Sequence, residues 1–355
     1  MTLDKFFKGK SVLITGHTGF KGAWLAQVLT LWGAKVTAVS LPPHTNPSLY
    51  SVLGLEKKID DNFTDIRDYD KVLEIFKKSK PEIVFHLAAQ AIVATSYDDP
   101  LLTYSTNVLG TANILQAIRN TSFVRVGVII TSDKAYDNVE WVYPYREVDR
   151  LGGTDPYSAS KAAADIVAQS FVKSFLNEKD SPLVGITRAG NVIGGGDWAA
   201  YRIVPDVVRA VYIDKKSVLL RRPEAIRPWQ HVLEPLSGYV LLAQKLYEGN
   251  RSLASEWNFG PSDGNFVTVE KIVEYGIKLL EKGSYEAEKE KKFHESTLLK
   301  LDISKARSLL NWRPRLNIEE TLDYTFLWYK NYYEKIKSPA EFTNGQIESF
   351  FNKQK

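Results

Sequence analysis

Short apolar runs alternate with longer amphipathic stretches through the first half of the chain. Five runs have the length and composition of buried strands: residues 11–15, 36–40, 83–87, 126–131 and 183–187. Four stretches between them carry apolar side chains at helical spacing: residues 20–32, 69–78, 101–119 and 157–175. Strands that alternate with helices predict an α/β fold, a doubly wound parallel sheet with ligands bound at the carboxyl ends of its strands.

The pattern changes after about residue 188. A glycine-rich loop at 194–196 is followed by a stretch, up to about residue 235, in which Pro, Trp and Arg are frequent. No internal repeat and no low-complexity linker separates the two parts of the chain. This change predicts a second, smaller lobe that is interleaved with the first.

Composition narrows the class of protein. The chain has 355 residues, of which 44% are hydrophobic and 25% charged, as in an ordinary globular protein. A formal net charge of +4 is too weak to indicate nucleic-acid binding, though it suits an anionic small substrate. The chain has no cysteine, which excludes disulfides and thiolate catalysis, and its five histidines lack metal-ligand spacing. We therefore expect no metal.

The ends and apolar runs of the chain bear on its location. No apolar run reaches the length of about 18 residues that a membrane-spanning helix needs. The polar, lysine-bearing N-terminus leads at once into a strand and does not have the pattern of a signal peptide. We expect a cytoplasmic protein with no membrane association.

A glycine-rich loop directly follows the first predicted strand. Gly16, Gly19 and Gly22 form GxxGxxG at the point where the strand gives way to a helix. Glycines let backbone N–H groups approach a pyrophosphate, and the helix N-terminus supplies partial positive charge. A strand–helix turn without a ligand is the alternative. No GK[ST] triplet ends the motif, which argues against hydrolysis of ATP or GTP.

The residues that would hold the adenosine half of a dinucleotide are less clear. The second strand ends at Ser40, with neither the acid that binds the ribose of NAD nor an arginine for the 2′-phosphate of NADP. NAD is the favoured cofactor, held less tightly than usual at this position. Asp65 and Ile66 would contact adenine, or form only a polar strand end. The run HLAAQ at 86–90 closes the next strand with small residues that would admit the cofactor ribose, or merely pack a tight turn.

Candidate catalytic residues follow in the next two elements. Tyr157 and Lys161 form YxxxK, and a spacing of four places the phenol and the ammonium on one helix face. A nearby ammonium, with a positive nicotinamide ring, would favour a phenolate that takes a proton from a substrate hydroxyl as hydride leaves carbon. Ser132, Asp133 and Lys134 follow the strand at 126–131, and Ser132 would hydrogen-bond the same oxygen. Each motif alone is also consistent with an ordinary helix surface or strand-end turn.

Together these motifs resemble the extended short-chain dehydrogenase/reductase family. The resemblance extends from about residue 8 to about residue 330 and includes RAGNVIGGGDWA at 188–199. Within that family, SDKAYDN at 132–138, YREVDRLGGTDPYSASK at 145–161 and RPWQHVLEPLSGY at 227–239 are similar to the CDP-glucose 4,6-dehydratases. The resemblance implies an NAD-binding Rossmann domain over 1–190, to which parts of 229–260 return. Residues 191–355 would mainly form a nucleotide-sugar-binding lobe.

The resemblance also implies a reaction, in which CDP-glucose becomes CDP-4-keto-6-deoxyglucose and water. Tyr157 would take the 4-hydroxyl proton, Asp133 would protonate the departing 6-hydroxyl, and Lys134 would remove the C5 proton. Related dTDP- and GDP-sugar dehydratases carry an acid at the position of Lys134, which leaves the identity of the C5 base open.

The same resemblance assigns the remaining site residues. The residues implied for NAD are Gly16, Thr18, Gly19, Phe20, Lys21, Gly22, Ser40, Asp65, Ile66, Leu87, Ala88, Ala89, Gln90, Asn107, Thr131, Tyr157, Lys161 and Arg188. The residues implied for the nucleotide sugar are Gln90, Ser132, Asn191, Arg202, Arg227 and His231. For His231 local packing or capping is favoured over a part in catalysis, and Asn107 would order the helix geometry near the site. Arginine is suited to diphosphate oxygens because its guanidinium is planar and permanently charged.

The resemblance further suggests a homodimer or homotetramer, with helices 101–119 and 157–175 at a four-helix interface. The resemblance also suggests the pathway in which the protein acts, which is dideoxyhexose synthesis for O-antigen, a surface polysaccharide. Two alternatives stay open from the residues alone. One is another NAD-dependent nucleotide-sugar enzyme of the same fold, a 4-epimerase or a decarboxylase. The other is a non-catalytic dinucleotide-sensing or scaffold protein, which would be free to lose Tyr157 or Lys161, although both are present.

Overall fold

The structure, a computed structural model, describes residues 1–220, 222–287 and 299–353. The strands in these ranges are β1 (Ser11–Thr15), β2 (Lys35–Ser40), β3 (Asp60–Phe63), β4 (Ile83–His86), β5 (Val126–Ile130), β6 (Leu183–Ala189), β7 (Val192–Ile193), β8 (Val218–Leu220), β9 (Ile226–Pro228), β10 (Gln230–His231), β11 (Glu256–Phe259), β12 (Phe266–Thr268) and β13 (Tyr285–Ala287).

The α-helices in the same ranges are α1 (Leu3–Phe7), α2 (Phe20–Leu31), α3 (Leu49–Val52), α4 (Tyr69–Ser79), α5 (Val93–Asp98), α6 (Pro100–Tyr104), α7 (Gly110–Arg119), α8 (Pro156–Phe175), α9 (Ile203–Val208), α10 (Leu233–Tyr247), α11 (Val269–Leu280), α12 (Ser304–Leu309), α13 (Ile318–Glu334) and α14 (Pro339–Asn352). Short 3₁₀ turns occupy Leu55–Lys57, Asp133–Ala135, Arg251–Leu253 and Asp263–Asn265. Turns of π-helix occupy Ser105–Leu109 and Arg209–Asp214.

Seven of the strands in the described ranges form one sheet, in the order β11–β6–β5–β4–β1–β2–β3. All neighbours in it run parallel; Val12 of β1, for example, pairs with Val36 of β2 on one side and Ile83 of β4 on the other. The chain therefore winds outward from β1 in both directions, and a crevice opens where the winding reverses. The predicted doubly wound parallel sheet is confirmed, and its switch point lies between β1 and β4.

Side chains of the buried strands alternate between two cores, one on each face of the sheet. Val12 and Ile14 point into the core that α2 and α10 cover, where Trp24 of α2 is fully buried. Leu13, between them in sequence, points into the opposite core, which contains Phe76 of α4 and residues of α7 and α8. Because both faces are covered, β1 is apolar along nearly its whole length, and this explains why the sequence pattern located it.

The second lobe is built on α9, α11 and α13 and on three two-stranded sheets. The pairs are β7 with β10, β8 with β13, and β9 with β12. A capping box begins α13, in which Asn317 and Glu320 each accept a hydrogen bond from the other's backbone N–H. The segment between these parts goes back to the central sheet, since β11 pairs with β6 and α10 packs on β5 and β6.

Helix α14 returns from the second lobe to pack on α2. Gln27 of α2 donates to Asn344 at 2.6 Å, and Phe351 meets the ring of Trp32 edge-on at 4.7 Å. The outer face of the phosphate-loop helix is therefore covered by the last described helix. Within the described ranges, no helix is long and apolar enough to cross a membrane, and no group of three or more His, Cys, Asp or Glu side chains could hold a metal ion.

Candidate active site

One cleft runs along the carboxyl ends of the central strands and has a volume of about 2210 Å³. Pockets for drug-sized ligands measure about 300–1,000 Å³, so this cleft has room for two large ligands side by side. The predicted phosphate-loop, strand-end and catalytic residues come together in it. The predicted site residues that lie outside its lining are Asn107, Arg188 and His231.

The phosphate loop joins β1 to α2 at the switch point. Gly16 has a φ of +80° and donates its N–H to Val39 O at 2.8 Å, which turns the chain at the end of β1. A Cβ on Gly22 would lie 2.0 Å from Gly16 O, so α2 can begin this close to the loop only with glycine there. The first N–H groups of α2 have no intrahelical acceptor. They face a lining that includes Thr18 and Lys21, and this cradle fits a pyrophosphate.

An ion pair that no sequence motif indicated lies at the end of the cleft that would hold adenosine. Ser40, at the end of β2, shares a 2.8 Å hydrogen bond with Thr18. Asp65 accepts from the Arg67 guanidinium, at 3.1 Å from Nε and 2.6 Å from Nη2, and this contact holds the pKa of Asp65 below its usual value. Asp65 thus lines the cleft as an ionised carboxylate that is paired with Arg67. An arginine two residues after the acid was the available signal in the sequence.

The catalytic loop follows β5. Ser132 Oγ accepts from Lys134 N at 3.2 Å, which caps the 3₁₀ turn, and the same hydroxyl donates to Asp133 Oδ1 at 3.0 Å. A Cβ on Gly190 would come within 2.8 Å of Asp133 Oδ2, so the glycine after β6 leaves room for this carboxyl. Ser132 and Asp133 are buried, whereas Lys134 is half-buried. The loop therefore presents a hydroxyl, a carboxyl and an amine to one part of the cleft.

Helix α8 supplies the other half of the catalytic group. Asp155 caps it by accepting from Ser158 N at 2.9 Å, and this fixes the first turn, which carries Tyr157. Tyr157 lines the same cleft as Ser132 of the catalytic loop, whose hydroxyl is close enough to lower the pKa of the Tyr157 phenol. Lys161, one turn further along α8, is buried and lines the same cleft. The structure thus brings together the two motifs that the sequence separates by 25 positions.

Burial dominates the proton affinities of these groups. It raises the pKa of Tyr157 to about 12, and the nearby Ser132 hydroxyl opposes this effect only in part. The protein's own groups therefore keep the phenol protonated near neutral pH, opposite to the direction that the YxxxK spacing alone indicates. Burial and, to a smaller extent, the charge of Lys21 lower the pKa of Lys161 to about 8. Burial also raises the pKa of Asp133, which favours the protonated carboxyl that a proton donor needs.

Asn107 supports the cleft from behind. Its Oδ1 accepts from Gln90 N at 2.8 Å, and its Nδ2 donates to Gln90 O at 3.0 Å and to Ser160 Oγ at 2.8 Å. It lies in the π-helical turn Ser105–Leu109, which interrupts the helix predicted as continuous over 101–119. The structure gives Asn107 the ordering role near the site that the resemblance implies, and its expected cofactor contact stays a prediction. Its amide ties the loop at 87–90 to α8.

The expected cofactor contact of Arg188 is corrected, because its side chain turns inward from β6. The guanidinium is fully buried and forms two hydrogen bonds with Asp165 of α8, at 2.8 Å from Nε and 2.7 Å from Nη2. Its Nη1 donates to the Tyr136 hydroxyl at 2.8 Å. A buried arginine needs a carboxylate partner, and Asp165 supplies it one helical turn after Lys161. Arg188 thus fixes α8 against the sheet and does not contact a cofactor.

His231 is the second correction. It is fully buried in β10, edge-on to Trp24 at 5.6 Å and to Tyr324 at 5.3 Å. Its Nδ1 accepts from Leu233 N at 3.3 Å, and burial lowers its pKa to about 3. The imidazole is therefore a neutral core group between the sheet and the second lobe. It is not in a position to contact the substrate.

The expected substrate residues of the second lobe do line the cleft. They are Asn191 after β6, Arg202 before α9 and Arg227 in β9. Burial opposes the charge of Arg202, but Asp197, which accepts from its Nη1 at 2.8 Å, overcomes this and raises its pKa. Arg202 is thereby held charged and in a fixed position, as a contact to an anionic ligand requires.

The motifs did not identify several other residues of the lining as site residues. Residues 138–140 follow the catalytic loop, His44 lies in the loop after β2, and Leu219 and Leu220 lie in β8. The signal available in the sequence was position, since residues 138–140 and His44 come shortly after the ends of β5 and β2.

Comparison with known proteins places this arrangement in a family. A family model described as GDP-mannose 4,6 dehydratase matches residues 13–325. A Salmonella typhimurium protein named CDP-glucose 4,6-dehydratase is 46% identical over 92% of this chain and 93% of its own length.

Solved structures agree on the fold. A UDP-glucose-4-epimerase from Stenotrophomonas maltophila, solved with bound NAD and a formylated UDP-arabinopyranose, superposes with a TM-score of 0.79 at 19% identity, covering 92% of this chain and 99% of its own. A dTDP-glucose 4,6-dehydratase from Bacillus anthracis, solved in complex with NAD, gives a TM-score of 0.74 at 21% identity, covering 92% and 98%. With the family match over most of its length, the chain belongs to the GDP-mannose 4,6 dehydratase family.

Proposed function

We propose that the chain is an NAD-dependent hydro-lyase that converts CDP-glucose into CDP-4-keto-6-deoxyglucose and water. The observation that carries this proposal is that Tyr157, Ser132 and the buried Asp133 line one cleft, where Ser132 donates to Asp133 Oδ1 at 3.0 Å and both residues act on the pKa of Tyr157. The cleft therefore combines Tyr157, a group for oxidation at C4, with Asp133, a proton donor for the loss of water. The 46% identical Salmonella relative, named CDP-glucose 4,6-dehydratase, supports the choice of substrate.

The phosphate loop and the small residues after β4 would hold NAD. The N–H groups at the start of α2 would bind its pyrophosphate, and Lys161 would lie beside the nicotinamide ribose. When bound, NAD supplies the hydride acceptor for C4 and later the hydride donor for C6. The positive charge of its oxidised ring would oppose the effect of burial on Tyr157 and favour the phenolate.

Oxidation at C4 needs a base for the hydroxyl proton. Tyr157 would take that proton, while Ser132 donates a hydrogen bond to the same sugar oxygen. Lys161 follows Tyr157 by one turn, so its ammonium would stabilise the phenolate that accepts the proton. The resulting 4-ketone acidifies the hydrogen at C5.

Loss of water then needs an acid and a base on neighbouring atoms. Asp133, whose pKa is raised by burial, would give its proton to the departing 6-hydroxyl. Lys134, the next residue, would take the proton from C5 as the C–O bond at C6 breaks, and would give a proton back to C5 when hydride reaches C6. Arg202 and Arg227 would hold the diphosphate, so that the sugar reaches these groups in a fixed position.

The test is turnover of a panel of nucleotide sugars by purified protein with added NAD. We expect CDP-glucose to be consumed far faster than dTDP-glucose or GDP-mannose. The product is detected by the near-ultraviolet absorbance that 4-keto-6-deoxy sugars develop in alkali and that 4-epimers do not. Equal or faster turnover of dTDP-glucose would refute the substrate assignment, and a 4-epimer as product would refute the reaction.

Assembly as a homodimer or homotetramer is part of this proposal. Large apolar side chains are exposed on α6, the π-helical turn and α8: Leu101 at 79%, Leu109 at 61%, Ile166 at 53% and Phe175 at 43%. These elements pack side by side, and a second copy of the same face would complete a four-helix interface. We expect Leu109→Glu to shift the purified protein to monomer in light scattering. A wild-type protein that is monomeric at micromolar concentration would refute this assembly.

The proposal extends to the division of the chain and to its setting. Residues 1–190, with parts of 229–260, would bind NAD, and the rest of 191–355 would mainly bind the nucleotide sugar. The observation in support is the return of α10 and β11 to the central sheet. The enzyme would act in the cytoplasm, where nucleotide sugars and NAD are available, and would supply dideoxyhexose synthesis for O-antigen.

A further inference from the structure

A small aromatic core lies at the rim of the cleft, apart from the two main cores. It consists of Tyr136, Tyr145 and Leu299 with two partly buried leucines. The rings of Tyr136 and Tyr145 stack at 5.2 Å with 26° between their planes, and Trp141 covers Tyr145 at 5.3 Å and 31°. The ring of Tyr145 is therefore held between two other rings.

The hydroxyl of Tyr145 fixes the part of the chain that follows the catalytic loop. It accepts from Val139 N at 2.8 Å and donates to Asn138 Oδ1 at 3.1 Å. The same Asn138 oxygen accepts from Glu140 N at 3.1 Å. All three residues of segment 138–140 line the cleft. A single phenol thus organises a wall of the site without lining the cleft itself.

The backbone of Tyr145 is in turn fixed to the body of the protein. Its N–H donates to Lys300 O at 2.8 Å, and its carbonyl accepts from Asp302 N at 2.9 Å and from the Asn258 side chain at 2.9 Å. Asn258 belongs to β11 of the central sheet and also accepts from the Tyr136 hydroxyl at 2.8 Å. The sheet therefore positions Tyr145, and Tyr145 positions segment 138–140.

The position of this segment indicates which ligand it faces. It begins four residues after Lys134, in the connection between β5 and α8. Strand β5 lies two places from β1, whose end carries the phosphate loop, on the side of the sheet order away from β2 and β3. Tyr145, which fixes this segment, is hydrogen-bonded to Asn258 of β11, at the edge of the sheet opposite β3, so segment 138–140 lies on the side of the catalytic loop away from the dinucleotide end.

We propose that Tyr145 is a positioning residue that holds segment 138–140 as a wall of the nucleotide-sugar site. The inference rests on the proposed function in taking a nucleotide sugar as substrate. Main-chain and amide groups held in one geometry bind sugar hydroxyls without the cost of ordering the loop on each binding event. The hydroxyl of Tyr145 is the group on which that geometry depends.

The test variant is Tyr145→Phe, which removes the hydroxyl and keeps the stacked ring. Loss of two hydrogen bonds to the segment should raise KM for the nucleotide sugar about tenfold or more, with little change in kcat. Thermal stability and NAD affinity should stay near wild type. Amide hydrogen exchange at Val139 and Glu140 should become faster, which reports the segment directly. The control is Tyr143→Phe, which removes the hydroxyl of an exposed ring that meets Trp141 edge-on at 6.0 Å and should leave all five quantities unchanged.

A wild-type KM in folded Tyr145→Phe would overturn the inference, as would a fall in kcat at unchanged KM. If that variant does not fold, Asn138→Ala removes the acceptor of the same hydroxyl and should raise KM in the same way; an unchanged KM there would overturn it equally. Failure of the wild type to convert CDP-glucose would refute the proposed function instead. In that case calorimetry would measure the affinity of each variant for the nucleotide sugar that the wild type does convert. Weaker binding by Tyr145→Phe would support the inference, and unchanged binding would overturn it.

Discussion

Gly22→Ala is the substitution for which the structure gives the sharpest expectation. The added Cβ would lie 2.0 Å from Gly16 O, 2.7 Å from Gly16 C and 2.8 Å from the Cα of His17. All three are backbone atoms of the phosphate loop, so no side chain can rotate away. The start of α2 or the loop must therefore move by about 1 Å.

The size of the effect follows from that displacement. Overpacking of this kind costs about 1–3 kcal/mol, and in a domain of this size each kcal/mol corresponds to about 2–4 °C in Tm. We expect Tm to fall by about 2–12 °C. The N–H groups that bind pyrophosphate move with the loop, and each lost hydrogen bond to a charged oxygen costs about 1.5–3 kcal/mol. The affinity for NAD should therefore fall at least about tenfold.

Two matched alanine variants separate the causes. At Gly19 the added Cβ comes no closer than 3.4 Å to Gly16 O, at a φ of −79° that alanine tolerates, so Tm should hold. A methyl group there still stands between the loop and a pyrophosphate, and NAD affinity should fall. Gly345, exposed in α14 with open space around it, should gain stability and leave binding unchanged. Thermal unfolding and NAD titration by calorimetry decide the matter. Gly22→Ala with wild-type Tm and wild-type affinity would refute this account of the loop.

Three further predictions concern the catalytic group and one buried acid. Tyr157→Phe should lose about 10²–10⁴-fold in rate while NAD still binds, whereas Lys161→Met should lose rate and NAD affinity together; a near-wild-type rate for Tyr157→Phe would remove its assigned role. Asp133→Asn and Lys134→Met should still oxidise C4, so that the absorbance of reduced NAD builds up while water loss stalls; normal dehydration by Lys134→Met would eliminate that lysine as the C5 base. Burial raises the pKa of Glu234 to about 7. The wild type should therefore lose up to about 3 kcal/mol of stability as pH rises from 4.5 through 7. Glu234→Gln should gain Tm relative to wild type at pH 8.5 but not at pH 5, and a pH-independent difference would contradict this.

The sequence pattern predicted the central sheet because its strands are buried on both faces. Strands β1, β2, β4, β5 and β6 and helix α8 lie within two residues of their expected bounds. The pairs β7–β10 and β9–β12 involve two or three residues per strand, too few for a period to emerge from sequence. Helix α14 was missed for another reason, since its packing partner α2 lies some 300 positions earlier in the chain.

The candidate site, like the fold, could be predicted from the sequence only in part. Position at a strand end predicted which residues meet the cleft, and the structure brings most of them together. Position at a strand end did not predict the direction in which the side chains of Arg188 and His231 point. Arg188 ends in the core because Asp165 of α8 accepts its guanidinium there, and His231 because Trp24 and Tyr324 enclose it. Such choices depend on partners distant in the chain, which a motif read along one strand does not contain.

The cations of the cleft suit two anionic ligands. Burial lowers the pKa values of Lys21 and Lys161 to about 8, and the charge of Lys21 adds to the effect on Lys161. Arg202 lowers the pKa of Lys21 as well, while Asp133 opposes it only in part. An anion bound beside these lysines would raise their pKa values again, so the pyrophosphate of a dinucleotide would keep both lysines charged. The diphosphate of a nucleotide sugar would meet Arg202 and Arg227 of the second lobe instead. Each ligand would thus have cations of its own in the cleft.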